Sequence, residues 1–315
     1  MGFKLREGEK IHLPALFNKS FTRIDYVPPG IERSKEDVLA SIDNARAVFR
    51  LHAINVRKGS SLDQLLSRAA REIQKNSGVP RRAMELQYVI AMVGLILGLA
   101  DEEGVKAPLE RIAQSEMDPM SAKPSQGKDA AWELSCLSSL KIGAMKVRVA
   151  EPDIVTDLGE GDYGIACKKV YSENSVEKCV KKGVKQIADA KMPGLIALNI
   201  DELLIPPGRI MFASDQDFQR AMLQGYATEF LERHNPTLEK YSRNGACDGY
   251  IISATRVALL HSTGRYSHIG VNVHVPMGNG TDPGAIRLDL LAQRTSNADG
   301  LEDWVAKVGG KTFGL

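Results

Sequence analysis

The sequence predicts an α/β domain with a mixed sheet flanked by helices, preceded by an all-helical region. Three observations carry that prediction. Apolar residues recur at helical spacing through the first 120 residues. A turn-rich stretch from Met117 to Lys128, holding Pro119, Pro124, Ser125 and Gly127, then interrupts the pattern. Beyond it, β-type runs alternate with helical ones, as layered α/β structures require. The organisation expected is a helical region over 1–120 and an α/β domain over 125–315, with its core between about 125 and 280.

Residues 1 to about 30 are read as irregular, with Pro28-Pro29-Gly30 as a turn. Ser34 and Asp37 have the spacing of a capping box, and Val38, Ile42, Ala45, Val48 and Phe49 follow at helical period. A second helix is expected from Ser60 or Ser61 through Ile73, with Pro80 breaking the pattern. A third covers about 83–100, and a short one follows Pro108. In the α/β part, helices are expected at about 129–142, 174–190 and 215–234. Strands are expected near 145–156, 162–171, 194–200, 248–260 and 267–275, and the tail is weakly helical around 286–307.

Composition narrows the function classes. Hydrophobic residues make up 43% and charged residues 25%, ordinary for a globular protein. Aromatics reach only 6%, which argues against a single-strand binder built on exposed stacking platforms. A formal charge of +2 gives no global basic field, so any polyanion must be met by a local patch. Cys136, Cys167, Cys179 and Cys247 have no zinc-type spacing and are expected to be reduced, mostly buried thiols of a cytoplasmic protein. The start of the chain has no apolar signal-type core. The longest apolar run, Tyr88 to Ala100, is too short for a span of about 20 residues and reads as a core helix.

The chemistry-bearing segment is Glu151-Pro152-Asp153-Ile154, followed by Tyr163-Gly-Ile-Ala-Cys-Lys-Lys-Val170 and a helix carrying Gln186. Asp153 and Lys168 are placed for two strands of a hairpin. Period two puts Ala166, Lys168 and Val170 on one face, and Cys167 and Lys169 on the other. A carboxylate can hold Mg²⁺ or Mn²⁺ through oxygen, and a lysine can orient water or steady phosphate charge. That is a minimal set for phosphodiester hydrolysis.

On these residues the segment resembles the PD-(D/E)xK nuclease superfamily. The resemblance implies a restriction-endonuclease-like sheet, with Asp153 as a metal ligand and the carbonyl of Cys167 as another. It implies Lys168 as the catalytic lysine, with Glu133 and Gln186 as accessories on the flanking helices. It also implies nucleic acid, DNA favoured, as substrate, with Mg²⁺ or Mn²⁺ as cofactor. Ala166 stands where the second acid belongs. Three explanations are open: an acid removed to hold an inactive form, an acid relocated to Glu133, Glu151 or Asp162, or a domain that binds without cutting. The alternative function is accordingly a non-catalytic nucleic-acid-binding or protein-interaction module. Lys169, Lys178 and Lys182, with Lys181 and Lys185, are candidate phosphate contacts. The helical region would supply recognition, a partner surface or a homo-oligomer contact. Gly310-Lys311-Thr312 lacks the glycine that a phosphate loop needs, and Val305 stands in its place. His268 and His274 share a strand face with Asn272 and are read as exposed strand histidines without a third ligand.

Overall fold

The structure, a computed structural model, describes residues 21–24, 34–75, 79–206, 209–242, 245–277 and 282–297. Pro28-Pro29-Gly30 and Gly310-Lys311-Thr312 lie outside the described residues.

Among the described residues, 21–24 form a strand that local sequence did not announce, β1 (Phe21–Ile24). Four helices follow: α1 (Lys35–Leu51), α2 (Ser61–Lys75), α3 (Pro80–Gly98) and α4 (Lys106–Gln114). The capping box is present at α1. Ser34 Oγ accepts from the Asp37 amide at 3.0 Å, and the Ser34 amide donates to Asp37 Oδ2 at 3.1 Å. Pro80 does not break a helix. It opens α3 in the first turn, where a missing N–H costs nothing.

The α/β part continues with α5 (Gln126–Ile142), β2 (Val147–Ala150), β3 (Asp153–Asp157) and β4 (Asp162–Lys169). Then come α6 (Val176–Ala190), β5 (Gly194–Asn199), α7 (Asp201–Leu204) and β6 (Met211–Ala213). The last elements are α8 (Gln216–Ser242), β7 (Gly249–Leu260), β8 (Tyr266–Pro276) and α9 (Pro283–Asn297). Among the described residues the mixed sheet has eight strands in the order β1-β8-β7-β5-β4-β3-β2, with β6 paired to β7 off that path. β2, β3 and β4 form an antiparallel meander, and β4, β5 and β7 run parallel.

Helices cover both faces. On one face Ala166, Ile196 and Leu198 of the sheet pack with Val180 and Ile187 of α6 and Phe230 of α8. Gly183 lets α6 sit low on the sheet: a Cβ there would lie 2.9 Å from Ile196. On the other face Trp132, Leu137, Ile154, Ile165 and Ala197 pack in one core. That core runs on into Phe49, Leu65, Ile96 and Leu109 of the helical region. Met117, inside the expected linker, is fully buried in it. The helical region and the sheet are thus joined by shared apolar packing, and 117–128 is a structured connection. Among the described residues no helix is long and apolar enough to cross a membrane.

The strand histidines are not exposed as expected. His274 is buried at 5% exposure, and neither ring nitrogen has a hydrogen-bond partner among the described residues. Burial pulls its pKa from 6.5 down to about 4. A depressed folded pKa means that stability is full above the unfolded value and is lost as pH falls toward the folded one. This single group therefore contributes up to about 3 kcal/mol of acid destabilisation between those limits. Replacing His274 with Leu should flatten the fall in urea-unfolding free energy between neutral pH and pH about 4 by that amount. Equal pH slopes for parent and variant would contradict the burial argument.

Candidate functional site

β2 and β3 are joined by a tight turn through Glu151-Pro152, with Ala150 opposite Asp153. The β3–β4 ladder ends at Ile154 opposite Ile165, one residue short of Asp153. Freed from the ladder, Asp153 bonds through its side chain. Its Oδ2 accepts from the Cys167 amide at 2.7 Å and from Lys168 Nζ at 2.8 Å. Lys168 Nζ also donates to the Cys167 carbonyl at 2.7 Å. Gln186, brought in by α6, donates to the Pro152 carbonyl at 2.8 Å and reaches Asp153 Oδ1 at 3.5 Å. Its own Oε1 is buried and has no hydrogen-bond partner among the described residues.

Glu133 approaches from α5 on the opposite face of the sheet. Arg111 of α4 grips it as a fork, Nη1 to Oε1 at 2.8 Å and Nη2 to Oε2. One turn earlier on α5, Asp129 Oδ1 accepts from the Tyr171 hydroxyl at 2.9 Å. Burial raises the Asp153 carboxyl above its usual range. Lys168 opposes that shift and the charge of Glu133 adds to it. Burial likewise raises Asp129, against Tyr171, Lys169 and Lys168. Burial, with Cys136 beside it, pushes the Cys167 thiol up. All four cysteines are free, and Cys136, Cys167 and Cys247 are buried.

Asp153, Lys168 and Gln186 are therefore joined by hydrogen bonds, and Glu133, held by Arg111, acts on Asp153 through its charge alone. Arg111, Asp129 and Tyr171 also belong to the group, and the sequence reading missed them. The i, i+4 spacing of Asp129 and Glu133 on α5 was the available signal. Of the proposed substitute acids, Glu151 is exposed in the turn. Asp162 lies at the far end of β4, exposed and bound to Arg148 at 2.6 Å. Glu133 lies within the group with both its oxygens held by Arg111. Ala166 is wholly buried in the core beneath α6, opposite Ile196.

Lys178, Lys181 and Lys182 are exposed on α6 and make no ion pair among the described residues. Lys182 and Lys168 both act through charge on the Cys179 thiol, which places Lys182 on the side of α6 nearest Lys168. Lys185 is held by Asp189 at 2.5 Å. Lys169 does not join the surface set: its side chain is 8% exposed and donates to Asn199 Oδ1 at 2.8 Å.

The donor set does not make a divalent-cation site in this arrangement. The two groups that the resemblance assigns to the ion, the Asp153 carboxylate and the Cys167 carbonyl, are both bonded to the Lys168 ammonium. Among the described residues, no three His, Cys, Asp or Glu side chains are gathered to hold a metal. Comparisons with family models, with curated proteins and with solved structures matched nothing to this chain.

Placing an acid at position 166 is not a neutral change here. In Ala166→Glu, a carboxylate would enter an apolar, fully packed position, so urea unfolding should show a loss of about 3 kcal/mol. Undiminished stability would mean that the side chain escapes toward Lys168.

Proposed function

We propose that this chain is a nucleic-acid-binding domain of the PD-(D/E)xK, restriction-endonuclease-like type, with DNA the favoured ligand. Its site is closed by a lysine rather than by Mg²⁺ or Mn²⁺. The observation that carries this reading is the Lys168 ammonium, bonded at once to Asp153 and to the Cys167 carbonyl. A fixed ammonium satisfies both oxygens and supplies the local positive charge that a divalent ion would otherwise provide. The site then keeps its architecture without gathering the ligands that hydrolysis requires. The convergence of helix acid, strand acid, strand lysine and helix glutamine supports the family reading. The exposed lysines of α6 beside the site support phosphate contact, which positions a nucleic acid without reading its sequence.

A second reading is favoured by Asp129. It stands one turn from Glu133 and within the influence of Lys168, so it is the best-placed relocated acid. In that case the chain is a hydrolytic nuclease.

Fluorescence anisotropy with labelled duplex DNA and RNA, with and without chelator, separates these readings. Binding should persist in chelator and weaken with salt. Replacing Lys178 and Lys182 together with Ala should lower the logarithmic salt slope by roughly 2, one for each phosphate contact. Cleavage with Mg²⁺ or Mn²⁺ that is lost in Asp153→Asn and Asp129→Asn would instead establish the nuclease. Failure to bind either nucleic acid would remove both readings.

A further inference from the structure

Beside this site lies a cavity of about 140 Å³ that neither reading uses. It opens at the carboxyl ends of the parallel strands β4 and β5, where Lys169 and Asn199 stand. Open α/β sheets characteristically bind ligands outside such strand ends. Its walls are apolar and partly aromatic, with Met84, Tyr88 and Met92 from α3 and Trp132 from α5. For scale, an apolar cavity of about 150 Å³ takes up benzene. One six-membered ring therefore fits.

The floor is polar and incompletely bonded. Glu202 Oε1 lies between two ammonium groups, 3.6 Å from Lys169 Nζ and 3.9 Å from Lys128 Nζ. Both separations are too long for hydrogen bonds. The Glu202 side chain is 9% exposed and accepts no hydrogen bond among the described residues. Lys128, at 3% exposure, spends one proton on the Ser121 carbonyl, and Lys169 spends one on Asn199. Each ammonium has three to give, so four donors remain. Asp201 is a structural neighbour: its Oδ1 takes the Thr255 amide at 2.6 Å, in the gap along β7 between β5 and β6. Lys128, Lys169 and Arg256 face Asp201 and Glu202 around the cavity, an excess of donors that suits a ligand rich in carbonyl acceptors. Burial pulls Lys128 below the usual lysine range against the attraction of Glu202, as expected for an under-solvated cation.

The pattern across the floor is donor, acceptor, donor. Its complement is acceptor, donor, acceptor, the imide edge of a ring in which one N–H is flanked by two carbonyls. We propose that this cavity binds a uracil- or thymine-type pyrimidine ring. The imide N–H donates to Glu202, and the flanking carbonyls accept from Lys128 and Lys169. The ring packs between the α3 side chains and Trp132. Such a ring could come from free base or nucleoside, or from a base turned out of a strand held at the neighbouring Asp153–Lys168 site. The inference stands whether or not the chain binds nucleic acid.

The test uses Trp132 fluorescence in a Trp304→Phe background, titrated with thymidine, 3-methylthymidine, cytidine and toluene, with thermal melting as a second readout. Thymidine should quench saturably and raise the melting temperature. Methylation of the imide nitrogen, or cytidine's altered edge, should weaken binding by about tenfold or more, because a buried acceptor or donor is then left unpaired. Glu202→Leu, which removes the acceptor, should do the same, and Ala91→Phe, which fills the cavity from α3, should abolish binding even if the Glu202 variant folds poorly. Competition by oligothymidylate but not oligodeoxycytidylate would identify the strand as the source, and competition by neither would leave the free ring. No saturable signal with thymidine at millimolar concentration, or equal binding of 3-methylthymidine, would overturn the proposal.

Discussion

Where the β3–β4 ladder stops one residue short, the Asp153 carboxylate replaces the missing backbone partner and takes the Cys167 amide. Lys168 then closes the same corner by bonding to that carboxylate and to the Cys167 carbonyl. The side chains of Asp153 and Lys168 are 15% and 16% exposed, so removing either would leave its mostly buried partner unpaired. The rest of the site is arranged around this pair. Gln186 can reach it because Gly183 lets α6 lie close to β5. Glu133 is held near it by Arg111, whose charge offsets the gathering of carboxylates.

The same strand end serves two faces. Lys168 and Lys169 are consecutive, so period two sends them to opposite sides of β4. Lys168 meets Asp153, while Lys169 turns into the cavity toward Asn199 and Glu202. Tyr171 and Asp129 connect to both lysines, Asp129 through the charges of Lys168 and Lys169. The Tyr171 hydroxyl bonds to Asp129, and its ring lies 5.9 Å from Lys169 Nζ. A ligand with a phosphate on one side and a ring on the other would be read by two neighbouring residues of one strand.

Much of this was legible in the sequence where one residue's position fixes another's. Asp153 and Lys168 were readable because a short hairpin with period two leaves few registers. Gln186 was named only through the resemblance, since nothing in its own helix sets it apart from a solvated glutamine. What escaped was carried by tertiary partners. β1 forms in a turn-rich stretch by pairing along β8. β6 and α7 are too short to show a period. α8 was expected to end near 234, yet it passes Pro236, because buried Leu238 and its carbonyl bond to Tyr250 hold the later turns. Lys169 was read as a surface cation because nothing local announces the acids of α7 that bury it. The burial of His274 likewise depends on elements distant in the chain.

The central claim is that the Lys168 ammonium stands in for a divalent ion. Electron paramagnetic resonance of Mn²⁺ titrated into the parent, Lys168→Ala and Asp153→Asn proteins tests it most directly. The account predicts no tightly bound Mn²⁺ in the parent, and a new Asp153-dependent site once the lysine is removed. Stoichiometric Mn²⁺ binding by the parent, lost in Asp153→Asn, would contradict it.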